Sequence, residues 1–171
     1  MSPSLIFNFY KRLRTTLSHR WSYSEYADDG ATKDTTNRDG FGNNVSLANA
    51  WYFNDLRTQS TTVTYDYERN SSEGVDSIKD AHGIKLDFHS PLLEKIEGDL
   101  SLRYRNSNYP KFSAGPPRRR DILYSVTVNL SRPITSWLSI STAYSYERVD
   151  AKNNAYEYMK NVFTVQLTMR Y

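Results

Sequence analysis

The chain contains no cysteine, which excludes a disulfide framework and any thiolate-based metal or redox site. Nowhere do apolar residues run for the roughly 18 positions that a membrane-crossing helix needs. Hydrophobic residues make up only 38% of the 171 positions, and mean hydropathy is −0.71. Histidine is scarce, at His19, His82 and His89. Glycine-rich phosphate loops and paired metal-ligand motifs are missing, so no cofactor and no metal is expected. Charge of either sign is barely in excess: the net value is +3, too small to argue for nucleic acid. A chain of this length suits one domain, expected here over residues 1–171.

What is present is alternation. In Phe163-Thr164-Val165-Gln166-Leu167-Thr168-Met169-Arg170-Tyr171 every odd position is apolar and every even one polar. Strict period 2 means a strand with one apolar and one wet face. Such a segment also suits an edge strand of a soluble sandwich. Low average hydropathy does not exclude a membrane protein, because in a transmembrane barrel only alternate residues face lipid. Aromatics reach 14%, with 14 tyrosines, an excess that favours strands and interfacial rings.

Strand candidates recur along the chain. Ile122, Tyr124, Val126, Val128 and Leu130 alternate with polar residues, turn at Arg132-Pro133-Ile134-Thr135-Ser136, and return through Leu138, Ile140, Thr142, Tyr144 and Tyr146. Upstream, Val45, Leu47, Trp51 and Phe53 lead to Val63, Tyr65 and Tyr67, and Leu86 and Phe88 lead to Leu100, Leu102 and Tyr104. Tyr65-Asp66-Tyr67-Glu68-Arg69 and Tyr144-Ser145-Tyr146-Glu147-Arg148 read as equivalent positions, with a period of about 40 residues. Short turns alternate with polar connections over 27–40, 70–79, 106–119 and 150–157. The expected fold is all-β, an antiparallel up-and-down transmembrane β-barrel. About eight strands are counted from Thr16 onward, and Leu5 to Tyr10, within 1–15, reads as a ninth strand or an extension followed by a Lys11-Arg12-Leu13-Arg14 turn. No secretory signal precedes Leu5, and the expectation is that the chain is the tail of a longer protein and part of a larger barrel.

The chain resembles the C-terminal part of Gram-negative outer-membrane barrels. The residues that carry the resemblance are Leu130-Ser131-Arg132-Pro133-Ile134-Thr135-Ser136-Trp137-Leu138, Tyr144 to Arg148, and Phe163 to Tyr171. Porin-like barrels are similar, including those attached to tetratricopeptide-repeat or polysaccharide-export proteins. The resemblance implies an outer-membrane location, with surrounding lipid and lipopolysaccharide, and barrel-assembly machinery as a partner. That machinery would read Phe163, Val165, Leu167, Met169 and Tyr171 as a C-terminal signal. It also implies a porin-like or export-associated channel for a polysaccharide or small solute. The alternatives are a non-conducting anchor for an upstream periplasmic domain and a surface hydrolase.

Two further sets follow from the alternation. Trp51, Phe53 and Trp137 near short turns, and Tyr23, Tyr65, Tyr67, Tyr104, Tyr144, Tyr146 and Tyr158 near long loops, are expected to form two aromatic girdles. Arg20, Asp66, Lys85, Asp87, Asp99, Arg103, Arg105, Lys160 and Arg170 fall on the other face and are expected to line a lumen, paired in a narrow barrel or facing water in a wide one. The basic run Arg118-Arg119-Arg120 reads as a solvated loop end, or as a contact for lipopolysaccharide phosphates. Its isolation argues against nucleic acid. Catalysis finds little support: His89 and Ser90 are neighbours on a strand, so they point to opposite faces, and no catalytic residue is assigned. The terminal pattern generates a test. Deleting Tyr171, or Phe163→Asp, is expected to lower the amount of folded barrel seen as heat-modifiable gel mobility. Normal assembly of both variants would remove the signal role.

Overall fold

The computed structural model describes residues 3–24, 40–72, 78–111, 119–152 and 154–170. Long polar connections, Arg118 and Tyr171 therefore fall outside the described residues, in whole or in part. The described chain forms one antiparallel sheet of nine strands in sequence order. These are β1 (Ser4–Phe9), β2 (Leu13–Ser24), β3 (Gly40–Tyr52), β4 (Ser60–Ser72), β5 (Lys79–Leu93), β6 (Ile96–Asn108), β7 (Arg120–Pro133), β8 (Leu138–Ala151) and β9 (Tyr158–Met169). A single 3-10 turn at Asn154–Tyr156 precedes β9. Among the described residues no helix is long and apolar enough to cross a membrane. The order is a plain meander, and β1 and β9 each pair with one neighbour only.

Strands β2 to β9 hold 12 to 15 residues, long beside the usual 5 or 6. The connections β1–β2, β3–β4, β5–β6 and β7–β8 are short and lie at one rim, and the other strand ends lie at the opposite rim. The short turns are built tightly. Ile134 and Thr135 both donate backbone N–H groups to the Leu138 carbonyl, at 2.8 and 3.0 Å. Thr135 Oγ1 accepts from the Leu138 N–H at 3.0 Å. Three short turns place a non-glycine residue in the left-handed region: Tyr10 (φ 58°), Arg57 (φ 56°) and Lys95 (φ 65°). Two expected turns are trimmed by the ladder. Pro133 is the last residue of β7, opposite Ser139, and Leu13 and Arg14 already belong to β2, opposite Trp51 and Ala50.

Register decides the faces. Leu102 lies opposite Val126, Val126 opposite Tyr146, and Tyr144 opposite Phe163. In the other direction Leu102 pairs with Leu86, Leu86 with Val63, Tyr65 with Leu47 and Leu47 with Leu17. Directly opposed residues share a face, so one continuous apolar face crosses all nine strands. It includes the odd positions of β9, where Phe163 is 69% and Leu167 60% exposed. Polar groups on this face are mostly paired to each other. Thr15 Oγ1 donates to Asn49 Oδ1 at 2.7 Å, Tyr144 Oη to Asn161 Oδ1 at 2.7 Å, and Tyr65 Oη meets His82 Nδ1 at 2.7 Å.

Among the described residues no large side chain is fully buried, and the hydrophobic core amounts to Ala81, Val149 and Ala151. An apolar face of this extent, left bare, far exceeds the patches tolerated on soluble monomers. Along each strand it is also banded. From the long-connection rim β4 presents Arg69, Tyr67, Tyr65 and Val63, and β5 presents Asp80, His82, Ile84, Leu86 and Phe88. The bands place Trp51 and Phe53 toward the short-turn rim. Tyr65 and Tyr144 lie inside β4 and β8 rather than at their ends. Tyr158 departs from the expected girdle: it pairs opposite Val149 and its hydroxyl donates to Glu147 Oε1 on the polar face.

The face assignment is open to a stability test. Leu102→Arg and Val126→Arg, each on the apolar face, are expected to cost roughly 2 to 4 kcal/mol in lipid vesicles. Thr127→Arg, on the opposite face beside Ser145 at 3.1 Å, is expected to cost far less. Equal losses on urea unfolding would reject the placement.

Candidate functional site: the charged face of the sheet

All nine charged residues assigned to a lumen from the alternation share the face opposite the apolar one. Their arrangement is uneven. A dense ionic cluster covers β4 to β6, whereas Arg20 on β2, and Lys160 and Arg170 at β9, have no ion-pair partner among the described residues.

The cluster is built across a missing side chain. Asp66 on β4 lies opposite Gly83 on β5, and Gly83 lies opposite Arg105 on β6. Alternate strands stand almost 10 Å apart, so the side chain of the residue between them stands in the way of a carboxylate and a guanidinium. Gly83 opens the gap. A Cβ built there would collide with the Asp66 carboxylate. Asp66, only 8% exposed, lies 3.8 Å from Arg103 Nη2 and 3.9 Å from Arg105 Nη1, charge contacts longer than hydrogen bonds. Arg105 also donates to Glu68 Oε2, and Lys79 Nζ reaches Glu68 Oε1 at 2.8 Å. Ala81, fully buried between Glu68 and Ser107, is the second small residue beneath the bridges.

Nearer the short-turn rim, Lys85 Nζ binds Asp87 Oδ1 at 2.9 Å. His89 Nδ1 meets Asp99 Oδ1 at 2.7 Å, and Asn129 Nδ2 donates to Asp99 Oδ2 at 3.2 Å. Ser90 points the other way and donates to the Pro91 carbonyl at 3.1 Å, so His89 and Ser90 do not meet. Over β7 to β9 the middle of the polar face carries hydroxyls and amides, Thr127, Ser131, Ser141, Thr164, Gln166 and Thr168, with Asp121, Glu147 and Lys160 toward the long-connection rim and Arg170 at the other.

The basic run is divided by the same alternation. Arg119 turns to the polar face, donating from Nε to both Asp121 oxygens at 3.0 and 2.9 Å. Its guanidinium lies 4.3 Å from the Tyr109 ring centre and 3.5 Å from that of Tyr156. Burial opposes the Arg119 charge, but the Asp121 hydrogen bonds and the neighbouring phenols raise its pKa. Burial likewise raises the Tyr109 phenol above its ordinary range. Arg120 turns to the apolar side.

Sequence reasoning missed Glu68, Lys79, Gly83, Asp121 and Asn129. Glu68 was readable, two positions from Asp66 on the same face. The others depend on cross-strand register or lie where strands were expected to give way to loops. Among the described residues no group of three His, Asp or Glu is placed to hold a metal ion.

A family model described as surface lipoprotein assembly modifier, SlipAM, matches residues 7–171. The chain belongs to the SlipAM family. No curated protein and no solved structure matches it. SlipAM is an assembly-modifier family and not an enzyme family, and its match spans every strand of the sheet, β1 from Phe7 onward. It names neither a porin nor a tetratricopeptide-repeat or polysaccharide-export protein.

The Gly83 gap can be tested by a mutant cycle. Gly83→Ala is expected to destabilise the protein by about 1 to 3 kcal/mol through overpacking. Part of that loss is expected to return when Asp66→Ala is added, a coupling visible in denaturant midpoints. Strictly additive losses would mean that the two positions do not share the gap.

Proposed function

We propose that this chain forms the wall, or part of the wall, of a Gram-negative outer-membrane β-barrel that takes part in bringing lipoproteins to the cell surface. The observation that carries the proposal is the two-faced sheet, with a banded apolar face on one side and a hydrated ionic face on the other. Hydrocarbon tolerates strands only when their backbone groups are paired and their outward side chains are apolar. The meander supplies both through β2 to β8, and family membership supports the lipoprotein connection.

In this reading the unpaired edges of β1 and β9 are satisfied by further strands of a larger barrel. The short turns face the periplasm and the long connections the exterior. The polar face lines a water-filled interior, where the Asp66–Arg105–Glu68–Lys79 cluster stiffens one side of the wall. Phe163, Val165, Leu167, Met169 and Tyr171 serve the assembly machinery, and the two aromatic bands sit at the lipid–water interfaces. A second reading, a porin-like channel for a small solute or polysaccharide, is favoured by the hydroxyl- and amide-rich middle of the polar face over β7 to β9. A sealed anchor is the third, and a hydrolase the least supported, since His89 is engaged by Asp99 and Ser90 faces away.

The readings separate in one experiment. A surface lipoprotein is co-expressed with the full-length protein, and its exposure on intact cells is followed by protease accessibility, alongside conductance of the purified protein in planar bilayers. The expected outcome is lipoprotein exposure that depends on the protein and falls when Glu68 and Asp66 are replaced by Lys. Steady conductance with no effect on lipoprotein exposure would favour the porin reading and reject the proposal.

A further inference from the structure

On the apolar side, where the band of tyrosines meets the long-connection rim, three cations stand on two adjacent strands. Arg120 begins β7 and Arg148 lies in β8, opposite Tyr124. The Lys152 backbone N–H donates to the Arg120 carbonyl at 2.9 Å, which continues the ladder by one pair and sets Lys152 opposite Arg120. Arg120 and Lys152 are exposed. The Arg148 side chain is 56% exposed.

Each guanidinium is held by its inner nitrogen. Arg120 Nε donates to Asn106 Oδ1 at 2.9 Å, and Arg148 Nε to Asp150 Oδ1 at 2.7 Å. These contacts through Nε orient the two guanidinium groups at the surface, an arrangement suited to receiving a phosphate. Asp150 offsets one of the three charges, leaving the patch with two in excess.

Beside Arg148 and toward mid-sheet from Arg120 and Lys152 lies a mainly apolar groove of about 300 Å³ lined by Ile84, Leu86, Leu102, Tyr104, Tyr124 and Val126, with Arg103 and Ser125 between them. Tyr104 and Tyr124 contact each other with ring centres 5.5 Å apart and form its upper end. The combination is amphipathic in one direction: an apolar groove crossing β5, β6 and β7, with cations toward the rim.

We propose that this surface is a binding site for the phosphorylated, multiply acylated glycolipid of the outer leaflet, the lipid A part of lipopolysaccharide. An acyl chain would lie in the groove, with the phosphates on Arg120, Arg148 and Lys152. The inference rests on the outer-membrane reading above. Spacing selects the occupant. Arg148 and Lys152 are four residues apart on one strand, about 13 Å, which suits a headgroup with two separated phosphates better than a single phosphodiester. An acylated peptide lacks phosphate and leaves the cations unmatched.

The test uses the full-length protein purified in mild detergent, with retention of defined lipids read by native mass spectrometry. Bisphosphorylated lipid A is expected to be retained by the unmodified protein and by Arg69→Ala, which removes an outward cation away from the groove. The pair Arg120→Ala and Arg148→Ala is expected to lower retention by about tenfold or more, as is loss of one phosphate from the lipid. The milder pair Arg120→Gln and Arg148→Gln keeps length and polarity and is expected to lose most of the retention too. Undiminished retention by both pairs would overturn the site. Equal displacement by phosphatidylglycerol would assign it to phospholipid, and equal displacement by a triacylated lipopeptide would assign it to a lipoprotein anchor; either overturns the proposal. Heat-modifiable mobility and outer-membrane fractionation of the same samples separate the two levels. A folded, membrane-resident protein that ignores lipid A defeats only the site, whereas a protein that never enters the membrane defeats the barrel reading with it.

Discussion

Hydrogen-bonded register is the constraint on which this structure rests. Every strand alternates its side chains with period 2, so a slip of one residue between any two strands would send one strand's apolar set to the polar side. The ladders from β2 to β8 run without interruption except at Pro91–Leu93 in β5. There an irregularity near the end of the strand accommodates a proline that donates no hydrogen bond. The ionic cluster repeats the same information in side-chain form. Asp66 meets Arg105 only if β4, β5 and β6 are aligned so that Gly83 lies between them. A shifted register would set a larger residue in the gap and leave Asp66, Arg103 and Arg105 without counter-charges in a partly buried place, an arrangement that costs several kcal/mol. The short turns reinforce the alignment by fixing where each hairpin begins, even where this places Tyr10, Arg57 or Lys95 in a left-handed backbone conformation.

Much of this was legible locally. Alternation is a property of neighbouring residues, so the strands, their two faces and the alternation of short and long connections could be read from the chain, including the N-terminal strand Ser4–Phe9. Ends were less legible. Pro133 reads as a turn residue because it lacks an N–H, yet the ladder can end on it. Tyr158 reads as one more rim tyrosine, but as an even position of β9 it falls on the face opposite Phe163 and reaches Glu147. The run at 118–120 reads as a single patch, whereas strand geometry sends Arg119 and Arg120 to opposite sides.

The cluster itself was legible only as a list of charged positions. Which carboxylate meets which cation depends on the offset between strands, and nothing within one strand encodes that offset. Gly83 is the clearest case. Taken alone it is an interruption of a strand pattern, and its role becomes visible only once Asp66 and Arg105 stand on either side. Function lay further away still. Period 2 names an architecture shared by proteins with many tasks, and the link to lipoprotein assembly came from family membership.

The placement of every short turn at one rim has a consequence for how such a wall can change over generations. Tyr65 to Arg69 and Tyr144 to Arg148 occupy matching places in β4 and β8, each the second strand of a hairpin closed at the short-turn rim. A whole hairpin can be duplicated or lost without moving any loop from one rim to the other or turning any side chain to the wrong side. Gain or loss of a single strand would invert everything beyond it. The hairpin is thus the unit of inheritance open to the wall, and the long connections are where descendants are free to differ.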